Sequence, residues 1–142
     1  MQLSLYSDYA LRVLMALAAG DRRLSVDDIA GRYRISRNHL AKVVQQLQNE
    51  GLIETFRGRG GGIQLAVPPD RIVVGKVVRQ FENLESFVAC FPDGGGCIVN
   101  GACALKPVLH GALDAFLAHL DRFRLSDLIP DPDAFVRRLE TA

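Results

Sequence analysis

The 142-residue chain lacks any apolar run approaching the roughly 20 residues needed to cross a bilayer, so no membrane span is expected. Its N-terminus, MQLSLYSDYA, lacks the basic-then-apolar layout of a secretory signal, and a soluble, cytoplasmic protein is expected. Internal repeats and low-complexity segments are missing too. Cysteine is scarce: the three present are an odd number confined to residues 90–103, which argues against a disulfide framework. No substrate-shaped motif and no Cys-His-Asp arrangement at a recognisable spacing occurs, so an enzyme or a simple electron carrier is disfavoured. Net charge is nearly absent as well, at +1, but it is unevenly spread. Residues 1–66 hold nine Lys/Arg against six Asp/Glu, and residues 67–142 hold eight against ten. Between Arg32 and Arg59 the bases Arg32, Arg34, Arg37, Lys42, Arg57 and Arg59 face only Glu50 and Glu54, which suits a local phosphate-binding surface or an ordinary solvated face.

What is present is helical periodicity. Ser7 is placed to cap a helix with Ala10, Val13, Leu14 and Leu17 on one face and Gly20 at its end. Ser25 and Asp28 form a capping-box pattern ahead of Val26, Ile29 and Ala30, in a helix that stops near Tyr33. Ser36 is a third candidate cap, before a stripe of Leu40, Val43, Val44 and Leu47 that ends at Gly51. Two helices separated by so short a turn have helix-turn-helix spacing. The period then changes. Residues 52–56 and 63–66 read as strands joined by a loop, Arg57 to Gly62, that holds four glycines and two arginines. A basic hairpin after a helix-turn-helix is a wing. The expected fold is therefore mainly α with a small β-hairpin, with residues 1–69 as a winged helix-turn-helix unit and residues 70–142 continuing the same folded body.

In that second part Val73, Val77, Val78 and Phe81 make one face of a further helix, opposite Lys76, Arg79 and Gln80. The aperiodic stretch from Cys90 to Cys103, with four glycines and Pro92, is a loop. Beyond it an apolar stripe runs from Leu105 through Val108, Leu109, Ala112, Leu113, Phe116, Leu117 and Leu120 to Phe123, about five turns. That is longer than one small domain needs, and it suits a dimerisation helix with Pro107 in its first turn. Ser126 is a possible cap for a short last helix that packs back.

A recognition helix buries one face and turns the other to the major groove. Arg37, Asn38, His39 and Lys42 lie off the apolar stripe. Arg37 and Asn38 are the best placed to read bases, Arg pairing with guanine and Asn with adenine, while Lys42 suits phosphate. His39 fits a bystander or capping role at least as well. Arg57 and Arg59 at the wing tip can enter a narrow minor groove, the alternative being a solvated hairpin tip.

Cys90, Cys97 and Cys103 are spaced Cys-x6-Cys-x5-Cys, without the close pairs of structural zinc sites. A flexible loop presenting three thiolates favours an iron-sulfur cluster, while zinc and redox-active or idle thiols stay open. Four ligands are usual, and the candidates for the fourth are Asp8, Asp93, His110 and His119.

The segments SDYALR, ISRNHLAKVVQQL and RGRGGGIQL, with the cysteine loop ending CALK, together resemble the NsrR-type nitric-oxide-sensing repressors. These are winged-helix regulators related to the IscR and RirA kinds, and the resemblance covers essentially the whole chain. It implies a homodimer on a pseudo-palindromic DNA operator, with Cys90, Cys97 and Cys103 holding a cluster. The cluster is expected as 4Fe–4S, with 2Fe–2S as the alternative. The resemblance also implies that Asp8 of the other subunit is the fourth ligand and that nitric oxide is the signal. Without it, Asp8 is an acidic residue favouring a helix N-terminus. IscR-like regulators place a histidine three residues after the last cysteine, where this chain has Lys106, so that kinship is weaker. An iron- or redox-responsive regulator of the RirA or IscR kind remains the alternative function.

Overall fold

A computed structural model describes residues 2–88, 90–91 and 97–142. Helix α1, Leu5–Ala19, begins one turn earlier than its serine pattern suggests. Ser4, not Ser7, is the cap: its hydroxyl accepts from the Ser7 N–H at 3.1 Å. Ser7 falls on the same face as Ala10, Leu14 and Leu17 and is fully buried, so its side chain faces inward rather than closing the helix end. Helix α2, Val26–Tyr33, carries the expected capping box, with Ser25 and Asp28 exchanging 2.9 Å hydrogen bonds. Arg34 then takes a left-handed conformation (φ 55°), the kind of turn that a glycine usually supplies. Ser36 stands at the start of α3, Arg37–Asn49, but its side chain makes no capping hydrogen bond. Leu40, Val43, Val44 and Leu47 of α3 are buried against α1 and α2.

Strands β1, Ile53–Phe56, and β2, Gly62–Leu65, pair antiparallel with Ile53 opposite Leu65 and Phe56 opposite Gly62. The hairpin has a third member absent from the sequence pattern. Leu24 pairs with Ile63 through bonds of 2.8 and 3.2 Å, which fastens the hairpin to the segment between α1 and α2.

After a single 3₁₀ turn at Pro69–Arg71, α4 spans Val74–Phe81, with Val77, Val78 and Phe81 buried. Helix α5 covers Leu105–Leu120, with Pro107 in its first turn, and stops short of Phe123. The reason is a competing pairing. The Phe123 carbonyl accepts from Val74 N–H at 3.0 Å and Leu125 N–H donates to the Ile72 carbonyl at 2.8 Å, drawing the chain back alongside the start of α4. Ser126 lies inside a 3₁₀ turn, Leu125–Leu128, and caps nothing. The last helix, α6 (Pro132–Thr141), is capped by Asp131, which accepts from Ala134 N–H at 2.9 Å. It packs back on α1 and α2, as expected.

Most buried residues form one core around α1, α2, α3 and the hairpin. A smaller core gathers Val78, Phe91, Leu113 and Leu117 where α4 meets α5, with Cys90 packed against it. Arg79 of α4 joins this junction to the end of α5 by donating to both Asp121 oxygens, at 2.6 and 2.8 Å. Gly75 makes room for that pair, since a Cβ there would run into the Asp121 carboxylate.

Candidate nucleic-acid interface and cysteine loop

Burial of its apolar stripe leaves the opposite face of α3 in solvent, and Arg37, Asn38, His39 and Lys42 are all exposed there. Asn38 and His39 occupy the first turn, the part of a recognition helix that meets base edges. Arg37 is engaged: its Nε donates to Asp27 of α2 at 2.6 Å, across a pair that is exposed on both sides. The ion pair holds the guanidinium at the mouth of the turn and would exchange with a base or phosphate at little cost, as exposed pairs are weak.

The wing is set against this helix by Thr55 in β1, whose hydroxyl donates to Gln48 of α3 at 2.8 Å. Arg57 and Arg59 are exposed at its tip, around Gly58 at φ 83° and Gly60 at φ 70°, conformations that an L side chain rarely adopts. Gly61 is needed for a different reason: a Cβ would stand 2.6 Å from the Phe56 carbonyl oxygen. One contributor was invisible to sequence reasoning. Arg23 lies over the Phe56 ring, its guanidinium 3.5 Å from the ring centroid, and also donates to Gln64 and to the Gly60 carbonyl. Nothing in the spacing of residues 23, 56 and 60 announces that contact; it follows from the Leu24–Ile63 pairing.

Two further polar bonds connect α3 to the rest of the chain. Gln46 donates to the Gln80 carbonyl at 3.0 Å and Gln80 donates to Glu50 at 2.8 Å, so the far end of the recognition helix is fixed to α4. At its near side, Tyr6 of α1 donates to the Lys42 carbonyl at 3.0 Å.

The three cysteines are free thiols. Cys90 is half-buried against the α4–α5 core, while Cys97 and Cys103 are exposed. The Cys103 sulfur accepts the Leu105 N–H at 3.4 Å, in the first turn of α5. Asp8 sits in the first turn of α1, ion-paired to Arg12 at 2.9 Å and still more than a third exposed. Among the described residues no three His, Cys, Asp or Glu side chains stand close enough to hold a metal, so Cys90, Cys97 and Cys103 are not gathered into one site, with or without Asp8. Asp93 lies outside the described residues. His110 stacks flat on Phe91, with centroids 3.8 Å apart, and His119 leans on Phe123 at 5.2 Å. The donor set nevertheless fits an iron-sulfur cluster. Three soft, unbridged thiols, one already supported by an amide, are what thiophilic iron requires.

Comparison with known proteins agrees with this geometry. The Rrf2 family model, described as an iron-dependent transcriptional regulator, matches residues 3–131. The HTH-type transcriptional regulator NsrR of Geobacillus kaustophilus is 48% identical over 134 residues, 92% of this chain and 91% of that protein. The oxidized form of Staphylococcus aureus CymR superposes with a TM-score of 0.72 at 31% identity, covering 90% of this chain and 95% of that one. T. potens IscR superposes with a TM-score of 0.73 at 26% identity, over 92% and 88% of the two chains.

Proposed function

The chain belongs to the Rrf2 family and is a winged-helix, DNA-binding transcriptional regulator rather than an enzyme, and from that premise we propose that it is a repressor released by nitric oxide. The observation that supports this most directly is the set of three free thiols on the loop leading into α5, with Cys90 seated at the α4–α5 core. Cys90, Cys97 and Cys103 would hold an iron-sulfur cluster, 4Fe–4S in the first instance, with Asp8 of a second copy as the fourth ligand. Such a cluster would supply iron open to attack by a small uncharged diatomic. In this reading residues 1–69 bind DNA, residues 70–142 sense and dimerise, and the protein works in the cytoplasm as a homodimer on a pseudo-palindromic operator. Among the described residues no helix is long and apolar enough to cross a membrane.

The chain's own contacts supply the route from sensing to DNA. Asp8 lies two residues after Tyr6, which holds the Lys42 carbonyl of the recognition helix, and four after Ser4, whose N–H donates to Glu82 at the end of α4 at 2.7 Å. A cluster held by Asp8 and the three thiols across a dimer would brace the first turn of α1, which already contacts both α3 and α4. Without it Asp8 would keep its ion pair to Arg12, and the Tyr6–Lys42 and Ser4–Glu82 bonds would lack that brace. Recognition helices spaced for two half-sites about one DNA turn apart tolerate little movement, so affinity falls.

The test is anaerobic purification followed by a nitric oxide titration, read both as absorbance and as operator mobility shift. Bleaching should accompany release of DNA. Loss of the chromophore with unchanged DNA binding would refute the mechanism, and release by iron chelation but not by nitric oxide would favour an iron-responsive regulator. Asp8→Ala should retain a chromophore with altered stability or response; wild-type behaviour would move the fourth ligand elsewhere.

A further inference from the structure

Arg23 is exposed, precedes the helix-turn-helix and belongs to neither α3 nor the hairpin, yet it touches three separate parts of the wing. Its position is set by the neighbouring Leu24, which exchanges backbone hydrogen bonds with Ile63 in β2. From there the guanidinium covers the Phe56 ring at the end of β1, with 3.5 Å to the centroid. Nε donates to Gln64 in β2 at 3.1 Å and Nη1 to the Gly60 carbonyl in the tip at 3.2 Å. Gln64 passes the connection on to Glu54 in β1 at 3.3 Å.

The tip needs such support. Gly58, Gly60 and Gly62 all have positive φ, and glycine loses more conformational freedom on ordering than any other residue. Within the tip, Gly61 N–H donates to the Gly58 carbonyl at 3.0 Å, and its two side chains, Arg57 and Arg59, are exposed. Among the described residues neither Arg57 nor Arg59 enters an ion pair or a side-chain hydrogen bond. The direction of these two arginines therefore depends on how firmly the tip backbone is held.

We propose that Arg23 is a positioning residue for DNA binding, which orders the glycine tip before DNA arrives by bonding the Gly60 carbonyl and covering Phe56. The proposal rests on the reading of Arg57 and Arg59 as wing contacts to DNA. Ordering the loop in advance removes an entropy cost from binding, so Arg23 raises affinity without itself neutralising a phosphate. Lysine cannot replace it, because an ammonium lacks both the flat face for the ring and the fork that reaches Gln64 and Gly60 together.

The experiment measures operator affinity and its salt dependence for the cluster-loaded dimer, on a duplex selected from random sequence by the wild-type protein. Arg23→Ala, Arg23→Lys and Phe56→Leu should each weaken binding about threefold to tenfold, the scale of one cation–π contact and its hydrogen bonds. The salt slope should stay near wild type for Arg23→Lys, whereas the double variant Arg57→Ala/Arg59→Ala should lose affinity and up to about two units of slope. Adding Arg23→Ala to that double variant should cost nothing more. Wild-type binding by the double variant would overturn the wing reading itself. A weakened double variant beside unaffected Arg23 and Phe56 variants would overturn only the positioning role. So would an Arg23→Ala effect that adds in full, or one that Arg23→Lys restores, since both mark a direct phosphate contact. Because Arg23→Lys and Phe56→Leu keep the bulk of the site, they stay informative should Arg23→Ala unfold.

Discussion

At the scale of single residues, the most exposed polar bonds carry measurable weight because they close helix ends. Ser25→Ala removes the side-chain half of the α2 capping box and should lower the unfolding free energy by about 1 kcal/mol in a denaturant titration. The same box makes stability sensitive to acid. The bonds from Ser25, backbone first and hydroxyl second, hold the Asp28 carboxyl below its usual 3.8, so the unfolded chain binds a proton that the folded chain resists. Stability from this group is complete above that value and drains away as pH falls through and below it. Asp28→Asn should flatten the acid limb of a stability–pH curve. At the alkaline end, burial pushes the Tyr33 phenol up to about 12, despite the nearby Arg12. Here the folded chain keeps a proton that the unfolded chain releases near 10, so stability is intact below about 10 and is lost as pH climbs toward 12. Tyr33→Phe should abolish that alkaline loss, at the cost of its hydrogen bond to the Arg12 carbonyl.

Between elements, the junction of α4 and α5 rests on the apolar packing of Val78, Phe91, Leu113 and Leu117 more than on charge. Arg79 and Asp121 make a two-pronged pair, and each holds the other in its charged form, but both side chains are 39% exposed. Arg79→Ala should therefore cost only about 1 kcal/mol or less. Gly75→Ala should cost no more than loss of that pair, because the new methyl meets only the carboxylate end of Asp121 and the guanidinium end of Arg79, flexible and part-exposed groups that can swing aside. Thermal unfolding of both variants checks this: similar small losses are expected, and a much larger loss for Gly75→Ala would mean that the helices themselves are forced apart. Elements of this size were largely legible in the sequence: the stripes of α2, α3 and α4, the capping box and the hairpin all depend on neighbours within a few residues. The misreadings share one cause. Ser7 looks like a cap but lies on the buried face of α1, and α5 ends at Leu120 because Phe123 and Leu125 pair with residues about 50 positions earlier. The contribution of Arg23 to the wing was hidden in the same way, by a backbone pairing that no local pattern encodes.

On the scale of the whole molecule, one apolar surface of the described chain stands without a partner. Helix α5 buries only Leu113 and Leu117, while Leu105 and Val108 stay 54% and 64% exposed and Phe116 37%. Leu3, Val78, Leu84, Phe87 and Phe116 line an apolar groove beside the same helix. A monomer gains nothing from presenting so much apolar surface along one helix, and a second copy of α5 would cover it. Val108→Glu and Phe116→Glu together should then yield monomers in sedimentation equilibrium and remove tight binding to a two-half-site operator. Binding to a single half-site should persist at a weak, salt-sensitive level, because the exposed residues of α3 and the wing are left unchanged. If these variants remain dimeric, α5 is not the dimer helix and the shared-ligand reading of Asp8 loses its geometric basis. If they are monomeric yet still assemble a wild-type chromophore, dimerisation stands and Asp8 of the partner is not required to hold the cluster.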